Sequence, residues 1–284
     1  MKLLIVADDL GISRERNRGI LESMVNGIVT HTCIMVNCNS SKDAVELLGN
    51  NNLLDRVGLH LNLTEGSPIS SRCKSLLNSS NRFYGKTEFR NKCYQNTFIE
   101  KEIENEITAQ IEWFIEHIGY VPKFINGHQH IQCILQIADI LANIISKYKI
   151  SYIRIPYESD LEFDYEFKNN IKQTIEIKEL CKVCSIVSKE SYENKNKYID
   201  RGINTNDYFI GLSFCTKLYT QKEMELYIEH FLNNKIYENK TIEIMVHPGY
   251  KEIDNKGWDK FSESLDRDME RKVLCNLIKY KNKI

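Results

Sequence analysis

The sequence holds little of what breaks or distorts a chain. Only 4 prolines and 13 glycines occur in 284 residues, too few for a collagen-like or broadly disordered polypeptide. Charge of one sign is absent too: 38 basic against 39 acidic side chains leave a formal net charge of −1. That balance lacks the electrostatic footprint of a nucleic-acid-binding protein. Long hydrophobic runs are also missing. Leu3–Ala7 and the stretch from Ile134 to Ile145, interrupted by Asp139, fall far short of the roughly 20 residues that span a bilayer. The chain opens on Met-Lys and enters strand-like sequence at once, with no leader or lipidation signal, which reads as a cytoplasmic protein with no membrane partner. No repeat and no Pro/Gly/Ser-rich linker divides it, so residues 1–284 read as a single domain.

Cysteine is not scarce, but its pattern excludes a disulfide framework: 9 residues, an odd count, are scattered through a chain without a secretion signal. Cys181 and Cys184 form a lone CxxC with no second pair at zinc-finger spacing.

What is present is alternation of short β-prone runs with helical segments. The runs are Leu3–Ala7, Thr32–Val36, Val57–Leu63, Lys123–Asn126, Ser151–Ile155, Lys182–Val187, Tyr208–Ser213 and Thr241–Val246. Between them Ile99, Ile103, Ile107, Ile111, Phe114, Ile115 and Ile118 line one helical face that Gly119 and Pro122 terminate. Thr220 and Glu223 form a capping-box pattern ahead of Met224, Tyr227, Ile228 and Phe231. This pattern predicts an α/β fold, a distorted TIM-like (β/α) barrel of seven or eight mostly parallel strands, with a doubly wound open sheet as the alternative. Residues 67–98 and 188–206 are polar and weakly periodic and read as excursions from the barrel.

Several polar residues fall at the ends of these runs, where barrel active sites lie. The apolar run Leu3–Ala7 stops abruptly at Asp8 and Asp9, a costly pair of adjacent carboxylates unless a cation compensates them, although the pair taken alone reads first as a solvated loop in which one Asp caps the following helix. Strict alternation in Val57–Thr64 places Gly58, His60, Asn62 and Thr64 on one face, which in a barrel points to the axis and makes His60 a candidate ligand. Asn126-Gly-His-Gln-His130 follows another strand; in extended backbone His128 and His130 share a face. Arg154 interrupts a strand and, if buried, needs a carboxylate partner. His247 ends the last strand, where a ring that titrates near neutral pH can act as acid or base. His31, His117 and His230 have no carboxylate motif beside them and read as structural. Two imidazoles with one carboxylate leave coordination positions open, as a hydrolytic metal site requires.

Six blocks in order resemble the YdjC/ChbG family of carbohydrate deacetylases: Ala7-Asp-Asp-Leu-Gly-Ile-Ser13, Gly27-Ile-Val-Thr-His-Thr32, Gly58-Leu-His-Leu-Asn-Leu-Thr-Glu-Gly66, Gly127-His-Gln-His130, Arg154-Ile-Pro-Tyr-Glu158 and His247-Pro-Gly-Tyr250. Two positions depart from the pattern: Leu10 stands where the family usually has Phe, and Asn126 where an Asp is frequent. The resemblance implies a hydrolase that removes N-acetyl groups from amino sugars or oligosaccharides, with one divalent metal ion and often as a homodimer. By motif it implies Asp9, His60 and His128 as metal ligands and Asp8 as the catalytic carboxylate, with His247 and Arg154 as further catalytic positions. It also implies Mg²⁺, whereas two nitrogen ligands suit Zn²⁺ or another transition metal better. Tyr84, Trp113, Tyr157 and Tyr250 are the aromatics near the motifs. Two rival readings use the same residues: a metal-dependent phosphoesterase, which would call for a second ion, and a non-catalytic sugar-binding protein.

Overall fold

The computed structural model describes residues 1–158, 176–212, 219–251 and 265–284. Among them, eight parallel strands curl into a half-barrel in the order β6-β5-β4-β3-β2-β1-β8-β7. The strands are β1 (Lys2–Leu10), β2 (His31–Ile34), β3 (Val57–Leu61), β4 (Phe124–Gly127), β5 (Tyr152–Ile153), β6 (Asn204–Thr205), β7 (Tyr208–Ile210) and β8 (Thr241–Val246). Helices α1 (Arg14–Val25), α2 (Ser41–Gly49), α3 (Lys86–Tyr94), α4 (Glu100–Ile118) and α5 (Leu135–Tyr148) lie between the first five. Further helices span Glu176–Asn194, Gln221–Asn233 and Asp266–Asn276.

The two outer strands are consecutive in the chain. Only Asn206 and Asp207 separate β6 from β7, so one run of backbone pairs first with β5 and then with β8. Asn206 extends the first pairing with its side chain, accepting from Ile155 N–H at 2.7 Å and donating to the Ile155 carbonyl at 2.8 Å.

The period of two along each strand sorts the core. In β1, Leu3, Ile5 and Ala7 join the large apolar layer beneath the helices, whereas Leu4 and Val6 form a separate inner cluster with Cys33, Phe124 and Tyr152. Gly58 is obligatory at this inner packing. A Cβ there would stand 2.4 Å from the Phe124 ring and 2.7 Å from its carbonyl oxygen. Helix α4 buries Ile103, Ile107, Ile111 and Phe114 in the outer layer and ends at Gly119, whose φ of 95° suits only the left-handed cap. The capping box at Thr220 is complete, with Glu223 N–H donating to the Thr220 hydroxyl and Thr220 N–H to the Glu223 carboxylate.

Two expectations fail. Lys182–Val187 is part of the helix Glu176–Asn194, not a strand; that helix buries Val187, Ser191 and Asn194 and leaves Ile186 exposed. Residues 188–206, read as an excursion, contain the rest of that helix and β6, a member of the sheet. Ser213, at the end of another expected strand, and the side chain of Cys181 lie outside the described residues. Residues 67–98 carry a 3-10 turn at Lys74–Leu76, helix α3 and no member of the sheet. Their first part is held to α4 by Glu106, which accepts from Ile69 N–H at 3.1 Å and Ser70 N–H at 2.8 Å.

Candidate metal centre

The polar residues gather where the parallel strands end. Regular alternation would send Asp8 and Asp9 to opposite faces of β1. Instead Asp9 adopts a left-handed φ of 65°, and the register between β1 and β2 shifts between Ala7 and Leu10. The kink turns both carboxylates into the same interior, where each is 2–3% exposed. Neither caps α1: that role belongs to Ser13, whose hydroxyl accepts from Arg16 N–H.

Asp9, His60 and His128 converge. Asp9 Oδ1 lies 3.1 Å from His128 Nδ1 and 3.3 Å from His60 Nε2, and the two ring nitrogens are 3.3 Å apart. Metal–ligand bonds of about 2.0–2.2 Å at tetrahedral or octahedral angles put ligand atoms about 2.8–3.6 Å apart. The three donors therefore already have the spacing of one coordination shell, and they form the candidate group among the described residues.

The electrostatics also favour a cation. Burial opposes ionisation of Asp9, but hydrogen bonds from His128 and His60 outweigh it and hold the carboxyl well below the usual range. Arg16 donates to the other oxygen, Oδ2, at 3.2 Å, leaving Oδ1 to the imidazoles. Burial likewise opposes charge on His128, yet Asp9 and Glu65 push it up to about 10. In effect an imidazolium supplies the positive charge that the surrounding carboxylates demand.

Behind these donors stands a layer that the sequence analysis left unassigned. His128 Nε2 is 3.3 Å from Glu65 Oε1, which also accepts from Gln129 Nε2 at 2.6 Å. Glu65 is aimed by Asn62, which folds the turn after β3 by accepting from Thr64 and Glu65 N–H, each at 3.0 Å. On the other side His60 Nδ1 lies 2.6 Å from Asn126 Oδ1, and Asn126 Nδ2 donates to Asp8 Oδ1 at 2.8 Å.

Asp8 is not aimed at the three-donor cluster. It is clasped by Arg154, whose Nη1 donates to Oδ2 and Nη2 to Oδ1 at 2.9 Å, while Arg154 Nε donates to Glu243 on β8. Glu243 Oε2 in turn accepts from Tyr152 hydroxyl at 2.7 Å. Burial raises the Asp8 pKa, but Arg154 and the nearby His60 and His247 overcome it and bring the group to about 2. Arg154 thus has the carboxylate partner that its burial required, and a second one. An acidic residue inside the apolar run Thr241–Val246 was the available signal for Glu243.

His247 stands just past β8, its N–H donating to Glu270 Oε1 at 3.0 Å. Burial lowers its ring to about 4 against the pull of Asp9 and Asp8. His130 does not join His128. Gln129 and His130 both take left-handed φ, 53° and 59°, so the backbone is not extended and the second imidazole turns edge-on to Phe209 at 6.5 Å. The other histidines are structural. His117 stacks on Trp113 at 3.9 Å, His230 pairs with the Tyr237 hydroxyl at 3.0 Å and His31 with the Thr30 hydroxyl at 3.0 Å. Trp113 is thereby occupied on α4, and Tyr250 lies under the Arg271 guanidinium at 4.2 Å.

Comparison with known proteins finds relatives along nearly the whole chain. A carbohydrate deacetylase of Danio rerio is 29% identical over 96% of this chain and 91% of its own length. One from Clostridium beijerinckii is 30% identical over 97% and 92%. A solved Enterococcus faecalis protein, named for cellobiose-phosphate cleavage, superposes with a TM-score of 0.73 at 20% identity, covering 99% of this chain and 94% of that one, and so shares the fold. The family model described as YdjC-like protein matches residues 2–277, a span that includes every donor and orienting group above; the chain belongs to that family.

Proposed function

We propose that the protein is a metal-dependent hydrolase that removes N-acetyl groups from acetylated amino sugars or oligosaccharides. The observation that carries this reading is the convergence of Asp9, His60 and His128 within bonding distance of one ion, with the ionised Asp8 tethered beside them through Asn126. The substrate class follows the carbohydrate deacetylases to which the chain is similar over nearly its whole length.

A divalent ion at this site supplies Lewis-acid polarisation of an acetamide carbonyl and makes water more acidic. Two imidazoles and one carboxylate suit Zn²⁺ or another transition ion better than Mg²⁺. Asp8 accepts the proton of the attacking water. Arg154 and Asn126 fix both of its oxygens, so its lone pairs are presented in one orientation. His247 starts neutral, since burial holds it near 4. It therefore protonates the departing amine only after receiving a proton, which makes Asp8 the group that begins the transfer.

The test is acetate release from a panel of N-acetylated mono- and oligosaccharides, using metal-stripped protein reconstituted with Mg²⁺, Zn²⁺, Mn²⁺ or Co²⁺. Asp8→Asn should bind metal normally and lose about 10²–10⁴ in rate, the usual worth of a general base. Near-normal turnover in that variant would remove Asp8 from the mechanism. Release of phosphate with two ions per chain would favour the phosphoesterase reading instead.

A further inference from the structure

Helix α3 belongs to the polar segment 67–98, outside the sheet, yet one of its side chains reaches the loop that carries a metal donor. The helix buries Phe89, Arg90 and Cys93, and Phe89 packs on Phe98 with ring centroids 5.1 Å apart. That apolar seat carries Arg90 inward, where it is 8% exposed. The two arms of its guanidinium serve different elements. Nη1 donates to Glu190 Oε2 on the helix Glu176–Asn194 at 2.6 Å, and Nη2 donates to the backbone carbonyl of Gln129 at 3.0 Å. Tyr94, one turn further along α3, donates its hydroxyl to Glu190 Oε1 at 2.5 Å, so both residues of α3 hold the same carboxylate.

Gln129 directly follows His128, and Gln129 and His130 are the two consecutive left-handed residues of the loop. Such backbone is unfavourable for residues that carry a Cβ, and it persists only where the surroundings over-determine it. Gln129 is held at both ends: its carbonyl accepts from Arg90, and its side-chain Nε2 donates to Glu65 Oε1 at 2.6 Å. The second contact lies within the site. The first comes from outside it, and a charged donor makes it the stronger kind of hydrogen bond. We infer that Arg90 is a positioning residue for the metal site: by pinning the Gln129 carbonyl it holds the left-handed turn that aims His128 at Asp9 and His60. The inference rests on the metal-dependent reading above. It also gives the segment 67–98 a task, since α3 docked on the helix Glu176–Asn194 becomes the frame for a ligand-bearing turn.

The experiment compares Arg90→Met and Glu190→Gln with the unsubstituted full chain by three readouts: urea unfolding, Zn²⁺ affinity by calorimetry, and backbone amide exchange across residues 126–134 in metal-stripped protein. Both variants break the same charge pair, so both should unfold at lower urea. The amide of Glu190→Gln can still accept from Arg90 and leaves the arm on Gln129 in place, so this variant should bind Zn²⁺ with the affinity of the unsubstituted protein. Arg90→Met should bind Zn²⁺ about 10–100-fold more weakly, the usual effect of removing a group that orients a metal ligand. Exchange across 126–134 should rise in Arg90→Met and stay unchanged in Glu190→Gln. A residue that merely supported the fold would not separate affinity from stability in this way. The inference is overturned if Arg90→Met keeps its affinity or its slow exchange, or if the two variants lose affinity in parallel. Should Arg90→Met fail to fold, Arg90→Lys decides: an ammonium keeps a charge for Glu190 but lacks the second arm that reaches Gln129, so Zn²⁺ affinity should still fall, and unchanged affinity would overturn the inference. The exchange measurement needs no metal. If the unsubstituted protein bound no Zn²⁺, the metal-dependent reading would fail while exchange still decided whether Arg90 holds the turn.

Discussion

Arg154→Met tests the buried charge cluster on which the catalytic carboxylate depends. Arg154 is fully buried and satisfies Asp8 and Glu243 at once, so its loss strands two carboxylates in the interior. Breaking a buried pair by removing one partner costs about 3–5 kcal/mol. Arg154 is the largest of the charges that hold Asp8 at about 2, below its usual 3.8, against the opposing effect of burial, with His60 and His247 adding to the pull. The sign of the pH dependence follows. In the unsubstituted protein the Asp8 contribution is present above its unfolded pKa near 3.8 and is lost as pH falls through about 2. In the variant, burial is no longer opposed by Arg154, so the Asp8 carboxyl rises from about 2 and takes up a proton at higher pH, where the penalty shrinks. Urea unfolding of metal-stripped protein should therefore show a gap of about 3–5 kcal/mol at pH 7 and a clearly smaller gap at pH 4. Adding Asp8→Asn and Glu243→Gln to Arg154→Met should restore at least half of the loss at pH 7. An equal gap at both pH values, with no recovery in the triple variant, would mean that Arg154 contributes packing and that the charge argument is wrong.

Other outcomes follow from local geometry. Gly58→Ala should lower stability by about 1–3 kcal/mol, read as a shift in thermal midpoint, because the added methyl collides with Phe124 ring and backbone atoms. Thr220→Ala should cost about 0.5–2 kcal/mol in urea unfolding and leave acetate release unchanged, since it removes a helix cap remote in sequence from every donor of the site.

The parts of the fold carried by local pattern were legible in the sequence. Apolar Leu3–Ala7 ending in charge gave β1 and its site end, and alternation through Val57–Leu63 placed His60 on the inward face. The helix before Gly119 and the capping box at Thr220 were equally readable. What was not legible depended on backbone exceptions or on distant partners. A left-handed Asp9 puts its carboxylate beside Asp8, against the alternation of the strand, and left-handed Gln129 and His130 separate two histidines that an extended chain would align. β6 has only Asn204 and Thr205, with no apolar signal, and exists because its backbone pairs with β5. Lys182–Val187 reads as a strand from its β-branched residues, but Val187, Ser191 and Asn194 are buried at the spacing of a helix. Glu65 and Glu243 act through charges brought together from distant parts of the chain, His128 and Arg154, which no local window contains.

Metal content per chain addresses the central claim most directly. Metal-stripped protein titrated with Zn²⁺ should bind one ion per chain, and Asp9→Ala, His60→Ala and His128→Ala should each abolish that binding while His130→Ala leaves it intact. Undiminished binding in the three single variants, or in a variant lacking all three donors, would contradict the account.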